Sequence, residues 1–239
     1  MNVSGRQWLA GLAGLLAGGA AVALAGGGGA FAADNDRASI EAVVRDYILN
    51  HPEIIPEAIK RLQERDAANV LAANRAAIQT PFPGASAGPR DADVTLVMFT
   101  DYSCGYCRAS VADVDRLLAE DRKLRVVWRE LPILGPGSDQ AARAGLAAAK
   151  QGKYLDFHRR MFAAGSPNPA KIAQVSKAAG VSVVGAPEIE REINSNIALA
   201  RTLGLSGTPA FVVGDRLLNG AVGYAELKKA VAEARAKKG

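Results

Sequence analysis

Two cysteines, Cys104 and Cys107, are the only thiols among the 239 residues of this chain. They lie three positions apart within the stretch DYSCGYCRAS, at residues 101–110. A pair with this spacing can be a structural disulfide, half of a metal site, or a dithiol that carries out redox chemistry. The remaining sequence helps to choose among these three uses.

A structural disulfide is a weak interpretation, because closing so short a loop stabilises a fold by about 2 kcal/mol, against roughly 3 kcal/mol for a fifteen-residue loop. A zinc site lacks its other ligands, since neither His51 nor His158 belongs to a cluster with ligand spacing. His158 is expected at a helix surface or in packing. Two soft thiolates can bind Cu(I) without further ligands, so a Cu(I) site at Cys104 and Cys107 remains an alternative.

A redox pair fits the position of the cysteines best. A β-prone run at 93–100 ends just before them, and a helical pattern follows from Ala109 to Asp121. At a helix N-terminus, free N–H groups and the helix dipole favour the thiolate form of Cys104. Cys107, about one turn further along, is placed to attack a mixed disulfide formed at Cys104.

The elements that must position this pair predict an α/β sandwich with a helical insertion. They follow in the order strand, helix, strand, helical insertion, hairpin and helix, at residues 93–100, 109–121, 123–130, 138–203, 209–218 and 224–237. Thr208 and Pro209 stand where the hairpin begins. Proline is tolerated there because the first residue of a strand can forgo a ladder hydrogen bond.

Residues 33–80 are predicted to be a separate helical segment, and residues 81–92 a linker rich in proline, glycine and small residues. Apolar residues recur at helical spacing on both sides of Pro52, which predicts two amphipathic helices. Such helices either dock on the main domain or pair with other copies of the chain. We expect the second outcome, with assembly depending mostly on Ile40 to Leu62.

An export signal is predicted at residues 1–32. Arg6 is followed by a long uncharged stretch that contains an apolar run from Leu9 to Leu24. The small residues Ala30 and Ala32 then predict cleavage after Ala32. The uncharged stretch is also long enough to cross a bilayer, so an uncleaved membrane anchor is the alternative. Export would take the chain to a compartment where disulfides form.

Nucleic acid is a poor candidate for a partner. The formal charge of +5 is spread along the chain, and aromatic residues make up 5% of it without a basic–aromatic cluster. The only local accumulation of charge is near the C-terminus, at Lys228, Lys229, Lys237 and Lys238. Cations there suit the end of a helix.

The strand before Cys-Gly-Tyr-Cys, the helical insertion and the run Thr-Pro-Ala-Phe at 208–211 together resemble the DsbA-like family of periplasmic thiol–disulfide oxidoreductases. That resemblance covers about residues 91–235. The stretches EAVVRDYILNHPEIIPEAIKRLQER and RELPILGPGS are similar to the suppressor-of-copper-sensitivity (ScsC-like) subgroup. The resemblance implies a thioredoxin-like catalytic domain at 93–239, periplasmic location and no cofactor.

The same resemblance implies roles for individual residues. Cys104 would be the nucleophile and Cys107 the resolving thiol. Gly105 and Tyr106 would tune the redox potential, while Thr208 and Pro209 would line the substrate groove.

One position departs from the family pattern. Many relatives have a buried carboxylate six residues before the first cysteine, where this chain has Met98. The proton acceptor for the resolving thiol is therefore open, with Asp101, Glu130 or water as candidates.

The resemblance also favours an isomerase or reductase over a DsbA-type oxidase. Cys-Gly-Tyr-Cys with threonine before the proline is more similar to the dimeric periplasmic isomerases than to the monomeric oxidase. In ScsC-like relatives the N-terminal segment is associated with trimers, so we expect a homo-oligomer. The implied partners are exported proteins with thiols or disulfides, and a membrane thiol reductase of the DsbD or ScsB type that keeps the cysteines reduced.

Overall fold

The computed structural model describes the backbone of residues 28–237 and the side chains of residues 36–237. The predicted signal peptide at 1–32 falls mainly outside this range. Within residues 28–237, no helix is both long enough and apolar enough to cross a membrane. The described chain divides into two compact units, with the boundary between Arg61 and Leu62.

The first unit is helical. It contains α1 (Gly28–Asn50) and the beginning of α2 (Ile54–Ala73). Pro52 separates the two helices, because proline lacks the N–H donor and its ring clashes with the carbonyl one turn earlier. The apolar side chains of this unit recur at helical spacing and are exposed, at Ile40, Val43, Val44, Tyr47, Leu49, Ile55 and Ile59.

The second unit is an α/β sandwich. A five-stranded sheet has the order β1-β3-β2-β4-β5, in which β2 and β3 are parallel and the other neighbours are antiparallel. Its strands are β1 (Ser86–Ala87), β2 (Val94–Thr100), β3 (Leu124–Glu130), β4 (Ala210–Val213) and β5 (Arg216–Asn219). Its helices after α2 are α3 (Arg75–Gln79), α4 (Gly105–Glu120), α5 (Pro136–Lys150), α6 (Tyr154–Ala163), α7 (Pro169–Ala178), α8 (Pro187–Thr202) and α9 (Gly223–Ala236).

Side chains alternate between the two faces of the sheet, as the pleat requires. Met98 and Trp128 face a large core shared with α4, α9 and the helical insertion, including the first half of α8. Val97, Phe99 and Val127 face a smaller core on the other side, where residues of α2, α3 and α8 pack. The insertion predicted at 138–203 corresponds to α5–α8.

The predicted linker at 81–92 is a point where the structure differs from the sequence expectation. Phe82 and Ala85 are buried in the larger core, and β1 pairs with β3 at the edge of the sheet. Gly84 has a φ of +87°, and a Cβ there would overlap the carbonyl oxygen of Ala149. Proline and glycine therefore shape a close-packed segment here, and residues 81–92 belong to the second compact unit.

The C-terminal part of the predicted helical segment also belongs to the second compact unit. Leu71 and Ile78 are buried against the sheet in the smaller core. The guanidinium group of Arg129 donates to the carbonyl oxygens of Ala77, Ile78 and Thr80, which caps the end of α3. The boundary between the two units thus lies inside α2, not after residue 80.

Candidate active site

Cys104 lies at the junction between the sheet and α4. It is the N-cap residue of that helix, and its Sγ accepts a hydrogen bond from the backbone N–H of Cys107 at 3.3 Å. The Cys104 thiol also lies 3.2 Å from the carbonyl oxygen of Thr208, to which it donates. Both cysteines are free thiols in this structure. Cys104 therefore contacts donors and acceptors that can stabilise either protonation state of its sulfur.

Cys107 is the more enclosed of the two thiols. Its side chain is 0% exposed, whereas Cys104 retains 6%. Burial is the main reason that the pKa of Cys107 is raised to about 12. Because a thiol attacks only as the thiolate, Cys107 is a slow nucleophile until a proton is removed from it. The two thiols are therefore unequal: both are buried, and Cys104 is the one that retains some contact with solvent.

The other predicted site residues surround this pair. The Thr208–Pro209 peptide bond is cis, and it leads into β4. Pro209 is buried, and Thr208 presents its carbonyl oxygen to Cys104. Gly105 and Tyr106 form the first turn of α4, where Tyr106 is 71% exposed. The structure thus brings Cys104, Cys107 and Thr208 together, and leaves the Tyr106 side chain exposed beside them.

Asp101 holds the loop before α4 in place. Its carboxylate is buried and accepts four hydrogen bonds, from the N–H groups of Ser103, Ile133 and Leu134 and from the Ser138 hydroxyl. Ile133 and Leu134 lie in the loop after β3, and their side chains are about half exposed. One buried carboxylate thus ties the cysteine loop to an apolar loop beside it.

Glu130 lies at the end of β3 in a buried polar cluster. Its Oε1 accepts hydrogen bonds from the hydroxyls of Tyr102 at 2.9 Å and Tyr154 at 2.7 Å. Its Oε2 is buried and has no hydrogen-bond partner. Burial raises the pKa of Glu130 to about 8, against the lowering effect of the two tyrosine hydroxyls. The carboxyl group is therefore mostly protonated at neutral pH.

His158 completes this cluster. Its Nδ1 lies 3.3 Å from the Tyr102 hydroxyl, and its ring packs against those of Trp128, Tyr154 and Phe162. Burial lowers the pKa of His158 to about 3, so the ring is neutral. Of the two environments that the sequence allowed for His158, the structure finds packing. Among the described residues, no group of three or more histidine, cysteine, aspartate or glutamate side chains is arranged to hold a metal ion.

Sequence reasoning missed Tyr102, Tyr154 and Ser138 as neighbours of the site. Tyr154 comes from α6, 24 positions after the carboxylate it contacts, and no local pattern marks that pairing. Tyr102 lies within the quoted cysteine motif, so its place in the sequence was the one available signal. Met98 is buried and pairs with Trp128 in the register of β2 and β3, so a side chain that cannot titrate lies where the family resemblance leads one to expect a carboxylate.

Comparison with known proteins agrees with this geometry. A family model described as a DSBA-like thioredoxin domain matches residues 95–232, which is more than half of the chain. The chain belongs to the DsbA-like thioredoxin family. A second model, the N-terminal domain of the copper resistance protein ScsC, matches residues 36–69. The prediction of a thioredoxin-like fold with a helical insertion, preceded by an ScsC-type helical segment, is confirmed.

Solved structures of this DsbA-like family are similar over most of their length. The catalytic domain of ScsC from Proteus mirabilis is 30% identical, with a TM-score of 0.67, and the match covers 71% of this chain and 98% of that one. A thioredoxin-like oxidoreductase from Silicibacter pomeroyi is 42% identical, with a TM-score of 0.61, over 63% of this chain and 91% of that one. Together with the match to the DSBA-like family model, these relatives identify the domain as a thiol–disulfide oxidoreductase.

A longer protein also shares part of this sequence. The Na(+)/H(+) antiporter NhaA 3 of Salinispora tropica is 31% identical over 160 residues, which make up 62% of this chain. The chain spans only 24% of the length of that antiporter. The similarity therefore concerns a segment of the antiporter and carries no ion transport over to this chain.

Proposed function

We propose that this chain is a periplasmic thiol–disulfide oxidoreductase that isomerises or reduces disulfides in exported proteins. The observation that carries the proposal is the unequal pair of thiols, with Cys104 at a helix N-terminus and Cys107 buried behind it. Membership of the DsbA-like family supports the reaction type.

In the proposed reaction, the Cys104 thiolate attacks one sulfur of a substrate disulfide. The substrate S–S bond breaks, its other sulfur leaves as a thiolate, and a mixed disulfide joins Cys104 to the substrate. The free substrate thiolate, or another on the same protein, can then attack the mixed disulfide, which rearranges the substrate bonds without net oxidation. Alternatively, Cys107 attacks Cys104, which releases reduced substrate and leaves an enzyme disulfide.

The burial of Cys107 bears on the choice between these outcomes. Its raised pKa keeps it protonated, so attack on the mixed disulfide is slow. A longer-lived mixed disulfide gives substrate thiols more time to attack it. This inequality supports isomerisation, and the exposed Tyr106 side chain offers an apolar contact to the bound polypeptide.

The helical first unit supports assembly into a homo-oligomer, for which a trimer is our proposal. The exposed fractions of Ile40, Val43 and Tyr47 are 62%, 68% and 55%. A single helix cannot bury such a face by itself, and association with other copies removes it from water. The match to the ScsC N-terminal domain covers this segment.

Isomerase activity requires that the cysteines remain reduced. We therefore propose a membrane thiol reductase of the DsbD or ScsB type as electron donor. An oligomer would in turn hinder access of an oxidising partner to Cys104. A DsbA-type oxidase is the first alternative function.

A Cu(I) carrier is the second alternative. The name of the N-terminal domain model links that segment to copper resistance, and two soft sulfurs at Cys104 and Cys107 suit Cu(I). Anaerobic competition with a Cu(I) chelator distinguishes the two functions. Tight Cu(I) binding by a protein that neither reduces insulin nor refolds scrambled ribonuclease would replace our proposal with the carrier.

The isomerase proposal is tested by comparing two full-length double variants of α1. Val44→Asp with Tyr47→Asp places charge on the apolar face, while Arg45→Ser with Asp46→Ser changes exposed polar side chains. Light scattering should show a trimer for the wild type and for the serine double variant (the polar pair), and a monomer for the aspartate double variant (the aspartate pair). The aspartate pair should keep insulin reduction and lose refolding of scrambled ribonuclease. A monomeric wild type, or undiminished refolding by the aspartate pair, contradicts the proposal.

A further inference from the structure

His51 is a polar side chain on the apolar face of α1, and the proposed reaction does not use it. Its backbone N–H donates to the carbonyl oxygen of Tyr47 at 2.8 Å, so helical geometry continues through this residue. At about 100° per residue, His51 lies within about 40° of Ile40, Val44 and Tyr47 around the helix axis. Those three side chains are exposed in the single chain. His51 is therefore near the centre of the face through which the proposed trimer assembles.

Two contacts hold the imidazole ring of His51 in one orientation. Its Nδ1 lies 3.3 Å from Oε1 of Glu53, and its ring stacks on that of Tyr47 with 4.6 Å between the ring centroids. When Nδ1–H donates to the carboxylate, the free lone pair of the neutral ring is on Nε2. Histidines that bind metal ions commonly have a carboxylate on the other nitrogen, which fixes the tautomer and makes the ligand more basic. Nε2 of His51 is thus the nitrogen left for a metal ion.

A single chain supplies only one ligand of this kind. The other histidine, His158, is 2% exposed and lies among aromatic rings in the second unit. Among residues 36–237 of one chain, no group of three histidine, cysteine, aspartate or glutamate side chains is placed to hold a metal ion. A site built from several imidazoles at His51 must therefore take the others from further copies of the chain.

Three-fold symmetry brings those copies together. The subunits of a closed trimer are related by rotation about one axis, and rotation leaves the height of an atom along that axis unchanged. The three His51 side chains therefore lie at one level and at equal distances from the axis. Packed helices are about 8–10 Å apart, so each α1 is about 5–6 Å from the axis of such a trimer. An imidazole on the inner face spans that distance, because Cα already lies about 2.3 Å from its helix axis.

We propose that the three copies of His51 in the trimer bind one divalent transition-metal ion, such as Zn²⁺, through their Nε2 atoms. The inference rests on the trimer of the proposed function and not on its thiol–disulfide chemistry. Neutral imidazole is a preferred ligand of Zn²⁺, and three histidines with one solvent molecule complete its tetrahedral coordination. Glu53 is the positioning residue of this site, since it holds Nδ1 of His51.

Metal binding accounts for a histidine in an apolar contact. Three imidazoles packed together without a ligand would leave polar nitrogens in a region that excludes water, which is costly. The apolar side chains of Tyr47 and Ile55, about one turn before and after His51, are exposed in the single chain and limit the access of water once copies associate. Because the ion binds the trimer and not the separate chain, it stabilises assembly. At free Zn²⁺ of about 100 times its dissociation constant, dissociation of the trimer is disfavoured about 100-fold.

Calorimetric titration of Zn²⁺ into the full-length protein, freed of metal with EDTA, tests the site. All samples carry Cys104→Ser and Cys107→Ser, which remove the thiols as competing ligands. We expect one Zn²⁺ to bind per three chains, and His51→Gln should abolish this binding. Light scattering on diluted samples should show that Zn²⁺ preserves the trimer at lower protein concentration.

Two glutamate variants test the role of the carboxylate. Glu53→Gln should weaken Zn²⁺ binding about 10–100-fold, because the amide orients the ring less well and makes Nε2 less basic. Glu57→Gln is the matched control, since Glu57 is an exposed carboxylate one turn further along that pairs with Arg61. It should leave the affinity for Zn²⁺ unchanged. Equal affinities of the two variants would contradict the positioning role of Glu53.

Chemical modification of the wild type covers the case in which His51→Gln dissociates the trimer. Diethyl pyrocarbonate acylates accessible imidazoles, and mass spectrometry locates the product. At Zn²⁺ of about 100 times its dissociation constant, modification of His51 should slow about 100-fold, because about 99% of the sites are occupied. The buried ring of His158 should react slowly in both conditions.

The outcomes separate this inference from the proposed function. A trimer that does not bind Zn²⁺, binding that persists in His51→Gln, or modification of His51 that Zn²⁺ does not slow overturns the metal site and leaves the redox function as it was. A wild type that is not a trimer overturns the proposed assembly and the metal site together.

Discussion

The hydrogen bonds of Asp101 predict that Asp101→Asn loses both stability and activity toward proteins. The carboxylate accepts from two N–H groups through Oδ2, at 2.9 Å from Ile133 and 3.0 Å from Leu134. Through Oδ1 it accepts from Ser103 N–H at 2.7 Å and from the Ser138 hydroxyl at 2.6 Å. Asparagine has one acceptor oxygen, so its NH2 group must face at least one backbone N–H.

The magnitude follows from the number of bonds lost. A hydrogen bond to a charged group contributes about 1.5–3 kcal/mol. If the NH2 group takes the place of Oδ2, the bonds from Ile133 and Leu134 are lost. If it takes the place of Oδ1, the bond from Ser103 is lost and the Ser138 hydroxyl must rotate. Water can reach part of the half-exposed loop at Ile133 and Leu134, which reduces the cost. We expect Asp101→Asn to lower the free energy of unfolding by about 2–4 kcal/mol.

Urea unfolding of the reduced protein measures this loss. Asp115→Asn is the matched control, since Asp115 lies on α4 in a partly exposed ion pair with Arg159 and should cost at most about 1 kcal/mol. Asp101→Asn should also slow reduction of insulin more than reaction with glutathione disulfide, because we expect the half-exposed apolar side chains of Ile133 and Leu134 to meet a polypeptide substrate and not a small one. Equal stability of the two variants would refute this account of Asp101.

Three further predictions concern the core and the cysteines. Gly145→Ala should destabilise the fold by about 1–3 kcal/mol in thermal unfolding, because its Cβ meets buried polar atoms, whereas Gly185→Ala in open space should change it little. The pKa of Glu130 is raised to about 8 in the folded protein, so the folded state binds the extra proton. Stability should therefore fall as pH rises from about 4.5 to 8, and the melting temperature of Glu130→Gln should lack this decline. Finally, Cys107→Ser should accumulate mixed disulfides with substrates on non-reducing gels and Cys104→Ser should not; equal trapping by both contradicts the assigned roles.

Local signals were sufficient for most elements of the α/β domain. Apolar residues at helical spacing predict a helix from 224 to 237, and the structure has α9 at Gly223–Ala236. The β-prone run at 93–100 corresponds to β2 at Val94–Thr100. Such elements depend on the spacing of apolar residues and on the glycine and proline residues that end them. Both can be read from a short stretch of sequence.

The segment before β2 shows where local signals fail. Proline and glycine at 81–92 are typical of a linker, but Phe82 and Ala85 are buried and β1 adds to the sheet. Likewise, α2 is continuous, yet Leu71 near its end packs on the sheet. Whether an apolar residue docks on its own domain depends on a surface formed by distant residues.

For the active site, too, some features follow from local sequence and others only from the tertiary structure. The sequence by itself determined that two thiols stand at a strand-to-helix junction, and that Thr208 and Pro209 precede a strand. Only the tertiary structure decided that the carbonyl oxygen of Thr208 meets Cys104, across 104 positions of the chain. Only the fold places Tyr154 against Glu130, because β3 and α6 pack together through burial of apolar area that no short window of sequence contains. Burial also raises the pKa values of both Cys107 and Glu130. Desolvation depends on what surrounds a group in space and not on its neighbours in the chain.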